Sequence, residues 1–153
     1  MPQQQQNTAA TISSARAYGA IYWSAGAAAA NEANTPIKVA GTTAQLGSVN
    51  KFTAATTNRL TFVGSSTRTF YVMASFSVDC SAATVLKMHL YKGGAIITGA
   101  TIQRTVGGTD VGAMAIHAIV DLTTNEYVEL WCETNDGDNV NVPFGQLSAL
   151  SID

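Results

Sequence analysis

Along Arg68–Asp79, RTFYVMASFSVD, every second residue from Phe70 is apolar: Phe70, Val72, Ala74, Phe76 and Val78. The residues between them, Tyr71, Met73, Ser75, Ser77 and Asp79, turn polar toward the end. Side chains on a strand alternate between faces, so this spacing predicts a long strand with one face on a core. Burying the two Phe and two Val would contribute about 6–12 kcal/mol as an upper bound. A single strand cannot keep such a face from water; it needs a sheet around it and a second layer beneath.

The same period recurs along the chain. Val111–Leu122 sets Met114, Ile116, Ala118, Val120 and Leu122 against Ala113, Ala115, His117, Ile119 and Asp121. Thr84–Tyr91 points Leu86, Met88 and Leu90 inward and Lys87, His89 and Tyr91 outward. Glu126–Glu133 points Val128, Leu130 and Cys132 inward and Tyr127, Glu129 and Trp131 outward. Weaker strand patterns cover Arg16–Ser24, Pro36–Val39 and Asn58–Gly64. Ala95–Ile97 begins another, broken before Thr101–Val106, and Asn141–Ile152 reads as the last strand. Turn residues at Gly64-Ser65-Ser66, Gly93-Gly94, Gly107-Gly108, Thr123–Asn125 and Asn135–Asn139 punctuate the runs. Ala25–Asn34 is Ala-rich, contains Gly26 and has no bulky apolar stripe, so it reads as a loop. The residues 42–57 show little pattern beyond Leu46, Val49 and Phe52. About eight to ten short strands and no helix predict an all-β sandwich or barrel.

Composition narrows the function. The chain's 153 residues suit one domain with a real core. Charge is sparse at 12%, the net charge is −2, and Lys and Arg form no cluster, which argues against nucleic acid as a partner. The N-terminus lacks the charged-then-apolar pattern of a secretory signal, and no apolar run approaches the roughly 20 residues of a membrane span. The expectation is a protein made in the cytoplasm, with no membrane partner. Residues 1–15, with Gln3–Gln6, read by composition as a disordered tail or as an arm ordered by a neighbouring subunit. The arm is adopted, leaving 16–153 as the domain.

Candidate chemistry is thin. The two histidines, His89 and His117, share no metal-ligand spacing with each other or with Cys80 and Cys132. A nucleophile elbow, a phosphate loop and a zinc-protease motif are all missing. A hydrolytic set from a Ser, His117 and Asp121 lacks anything to position the Ser. Asp136-Gly137-Asp138-Asn139 is oxygen-rich, yet without a bidentate Glu at the calcium-loop distance it reads as a plain turn. No catalytic residue, metal or cofactor is expected.

Three pieces, taken in order, carry a resemblance: NRLTFVG before RTFYVMASFSVD, then GAMAIHAIVDL, then TNEYVELW. Together they resemble the tumour-necrosis-factor and complement-component jelly-roll superfamily over about residues 16–152. The wording is closer to its bacteriophage branch, found in tail fibres, head fibres and capsid decoration proteins. No membrane anchor or collagen-like stretch precedes the module, which favours a virion part over a cytokine.

The resemblance implies a two-sheet antiparallel jelly roll of about ten strands and a three-fold assembly. It places 17–23, 36–39, 68–79, 112–121 and 144–152 in one sheet. The strands near 58–63, 84–91, 95–104 and 126–133 fall in the other, so Cys80 and Cys132 lie on opposite sheets as separate thiols. The first sheet's outward face would carry Tyr71, Met73, Ala113, Ala115, His117 and Ile119, too apolar a patch for water, and these residues are assigned to a homotrimer interface. The second sheet's outward face would carry Lys87, His89, Tyr91, Tyr127, Glu129 and Trp131. Tyr91, Tyr127 and Trp131 there are the candidate partner-binding surface, with cross-strand pairing as the plainer alternative. The implied function is a trimeric capsid decoration (cement) or head-fibre protein bound to major capsid protein or another virion protein. The alternative is the receptor-binding head of a tail fibre or spike, against which the short stretch before the first strand counts.

Overall fold

The central alternation folds as read. Phe70, Val72, Ala74, Phe76 and Val78 are all buried, and the strand that carries them runs Arg68–Cys80. The computed structural model describes residues 16–24, 26–29, 32–41, 44–45, 49–55, 58–108 and 110–152, and among these there is no helix. The proposed arm, residues 1–15, and Leu46 lie outside the described residues.

In chain order the strands begin with β1 (Tyr18–Trp23), β2 (Gly26–Ala29), β3 (Ile37–Lys38), β4 (Ala40–Gly41) and β5 (Ala44–Gln45). Next come β6 (Phe52–Ala55), β7 (Arg59–Phe62), β8 (Arg68–Cys80), β9 (Thr84–Lys92) and β10 (Ala95–Val106). The last are β11 (Gly112–Leu122), β12 (Tyr127–Thr134), β13 (Asn139–Val142) and β14 (Gly145–Ser151).

They form two antiparallel sheets. The first runs β4-β2-β13-β8-β14-β1-β5, with β11 also paired to β8. The second runs β10-β9-β12-β7-β6, with β3 also paired to β12. Between them, the rings of Phe52, Phe62 and Phe70 meet with centroids 5.0–5.4 Å apart, tilted or edge-on. Edge-on contact sets the positive rim of one ring on the negative face of another, so the trio ties the sheets together beyond its burial. Leu60, Leu86, Met88, Leu90, Leu130 and Leu147 fill the rest of the middle.

The turns follow from residue type. Gly93 and Gly94, at φ +57° and +88°, close β9 onto β10 in a conformation that a side chain disfavours. Asn125, at φ +69°, closes β11 onto β12. The Glu126 carboxylate accepts the Thr123 backbone N–H there at 2.7 Å.

Three expectations need correction. The strand read at 36–39 was placed in the first sheet, but Ile37 and Lys38 pair with Cys132 and Trp131 of the second. The chain changes sheets at buried Val39, whose N–H bonds Leu130 O at 3.0 Å, before β4 joins β2. So short a run carries no signal for which sheet receives it. Gly26–Ala29, read as loop, is a strand between β13 and β4. Asn141–Ile152 is two strands, β13 and β14, parted at Pro143-Phe144, because proline has no N–H for the ladder.

Candidate functional site

β8 and β11 pair along their whole overlap, and β14 and β1 extend the same sheet. Register fixes which outward side chains share a row. One row holds Ile119, Tyr71, Leu150 and Tyr18; the next holds His117, Met73, Ser148 and Ala20. A third holds Ala115, Ser75, Gln146 and Tyr22, and beyond it Ala113 lies opposite Ser77. All six residues assigned to the trimer interface are therefore brought onto one face. Ile119 is 64% exposed and Met73 43%, while the Tyr71 and His117 rings lie 5.6 Å apart.

The face is larger than those six residues. Tyr18, Tyr22, Val111, Phe144, Leu150 and Ile152 are exposed on it or at its ends by the same alternation. Of the large exposed hydrophobics among the described residues, only Val63 and Ile96 lie elsewhere. The β1 and β14 residues were visible as alternating positions, but only the register shows that they continue the β8–β11 patch. Asp121, at the margin, accepts a hydrogen bond from Thr69 Oγ1 at 2.7 Å.

At the other end of the face the small residues Ala113, Ala115, Ser75 and Ser77 make a hollow, walled by Tyr22, Trp23 and Phe144. Trp23 is buried against Gly145, where a Cβ would come within 2.7 Å of the indole. Its Nε1–H has no acceptor among the described residues.

The opposite face differs in kind. His89, Tyr91 and Glu129, expected to face solvent, are buried; Tyr127 and Trp131 are half-buried. The cause is that long side chains lie across one another. Tyr91 stacks on Trp131 with centroids 4.4 Å apart and planes 15° apart, and the Arg59 guanidinium sits 3.6 Å over the Tyr127 ring. Glu129, 1% exposed, accepts from Arg59 Nε at 3.0 Å, Lys38 Nζ at 3.3 Å and Trp131 Nε1 at 3.0 Å. Lys87 Nζ meets Glu133 Oε1 at 2.6 Å. Tyr91, Tyr127 and Trp131 are thus near one another, but each is already engaged. Nothing in the sequence paired Glu129 with Lys38, 91 positions away, or with Arg59.

The Asp136–Asn139 turn uses its oxygens internally. Asp138 accepts from the Ser81 hydroxyl and, at 2.6 Å, from the Ala82 N–H. Thr84 Oγ1 donates to Asn135 Oδ1 at 2.9 Å and to Asp136 Oδ1 at 2.7 Å as alternatives. The Ser81 hydroxyl first, then the Ala82 and Asn139 N–H groups, hold the Asp138 carboxyl below the usual carboxylate range. Cys80 and Cys132 are free and buried on opposite sheets, with burial pushing their pKa values up to about 11 and about 12. Thiols so held are poor nucleophiles at neutral pH.

No family model and no curated protein sequence matches the chain. Its fold matches solved structures closely in extent and distantly in sequence. An Eiger TNF from S. frugiperda superposes with TM-score 0.54 at 12% identity, over 90% of this chain and 94% of that one. Murine APRIL gives TM-score 0.53 at 7% identity, over 88% and 99%. The globular domain of zebrafish complement 1qA gives 0.54 at 11%, over 90% and 98%. The chain therefore has the tumour-necrosis-factor and complement type of jelly roll, as the sequence led us to expect.

Proposed function

We propose that this chain is a non-enzymatic structural protein of a bacteriophage virion, a homotrimeric decoration or head-fibre protein that binds the capsid surface and stabilises it. The observation that carries the assembly is the outer face of the first sheet, where aromatic and aliphatic rows stand open with no charge among them. A face of that kind is covered in a stable protein, and a contact repeated head to tail by identical copies closes into a ring. The phage setting rests on the resemblance of NRLTFVG, RTFYVMASFSVD, GAMAIHAIVDL and TNEYVELW to the phage branch. The rigid sandwich then serves as a knob, and three copies joined together add their separate weak grips on the lattice.

Light scattering of the purified protein tests the assembly: three times the chain mass is expected, and a stable monomer at micromolar concentration refutes it. Quantitative mass spectrometry of purified particles tests the location, with hundreds of copies expected for a decoration protein. A few dozen copies or fewer would transfer the protein to the tail. The second reading is the receptor-binding head of a tail fibre or spike. Binding on a glycan array would support it.

A further inference from the structure

The imidazole of His89, 3% exposed, lies on β9 between Thr101 of β10 and Trp131 of β12. Its Nδ1 is 2.9 Å from Thr101 Oγ1. Its Nε2 is buried with no hydrogen-bond partner among the described residues; Glu133 Oε2, at 3.9 Å, is too far for a hydrogen bond though within ion-pair range of a charged ring. A neutral ring accepts this place, since one nitrogen serves Thr101 and the other goes unpaired. A protonated ring fits less well, because a full charge is then held away from water.

The surrounding groups tilt the same way. From its own strand His89 faces Lys87 and Tyr91; from β12, Trp131 and Glu133; from β10, Thr101 and Gln103, neither of them ionisable. Glu133 favours the proton, but its other oxygen already holds Lys87, whose charge opposes it. The next carboxylate, Glu129, is occupied by Lys38, Arg59 and Trp131. Burial outweighs Glu133 and keeps the ring below the ordinary histidine value of 6.5.

We propose that His89 is an acid-sensitive latch on the seam between β9 and β10. Protonation ends its fit between Thr101 and Trp131 and releases β10. That strand is an edge of its sheet and is interrupted in register between Ile96 and Thr101. The sign follows from linkage. The opened chain takes its proton near 6.5 and the closed one only lower, so the latch holds fully above 6.5 and weakens as pH falls below it. The folding constant drops about tenfold for each unit by which closure lowers the ring's pKa.

Two measurements decide it. A proton NMR titration of the native protein should show His89 titrating below 6.5; titration at or above that value overturns the proposal without any variant. Urea midpoints at about pH 7.5 and about pH 5 then compare the native chain with His89→Gln. The native chain should lose midpoint on acidification while His89→Gln holds its own, and an equal loss in His89→Gln overturns the latch. Hydrogen exchange, corrected for pH, should show lost protection concentrated in β9 and β10. Loss spread evenly over both sheets would also refute it.

Discussion

The two sheets solve the problem of an outward face in opposite ways. On the second sheet, β9 and β12 carry Lys87, Glu129, Glu133, Tyr91 and Trp131, and these cover one another with stacks and ion pairs. On the first sheet, β8 and β11 carry Tyr71, Met73, Ala113, Ala115 and Ile119, which are too short or too apolar to do this. A face with long charged and aromatic side chains can shield itself. One built from Ala, Met and Ile cannot shield itself in this way. Exposed aromatic residues on such a sandwich are therefore a poorer guide to partners than a bare apolar sheet.

The contrast is sharpest under substitution. Met73→Lys or Ile119→Glu should abolish assembly, because a charge would be trapped in a dry contact at a cost of about 3–5 kcal/mol. Light scattering should then report monomer or insoluble protein, and a native-sized trimer would remove the first sheet from the interface. Glu129→Ala should do the reverse: a loss of about 3 kcal/mol in urea unfolding with the assembled mass unchanged. Should it dissociate the protein instead, the self-covered face is itself a contact. Tyr91→Leu should cost about 1 kcal/mol through the lost stack on Trp131, with no change in mass.

The smallest effect belongs to the turn. The Asp138 carboxyl is lower in the folded chain than in the unfolded one. Its contribution is therefore whole above the unfolded carboxylate range and fades as pH falls through the lowered value. Asp138→Asn should flatten the acid limb of the stability curve below about pH 4, read by thermal melts. An unchanged limb would mean that the Ser81 and Ala82 bonds carry no net weight.

Much of the fold was legible because alternation has one reading when large apolar residues stand against polar ones, as in β8, β11 and β12. It failed where contrast failed. Gly26–Ala29 is all small residues, and its strand exists through backbone pairing with β13 and β4. Ile37-Lys38 shows which residues alternate but not which sheet takes them. The six interface candidates share a face because parity is a local property. The burial of His89, Tyr91 and Glu129 depends on how long side chains from five strands lie down together, which residue order does not encode.

The irregularity in β10 has a consequence for growth. Residues 97–100 sit opposite Leu90 alone, with Gly99 at φ +79°, so the outermost backbone is bent where a flat ribbon would present unbroken amide and carbonyl groups. A straight, nearly uncharged ribbon of Ala, Ile and Thr would invite copy after copy to zip on sideways without limit. The kink denies that template along the β10 edge.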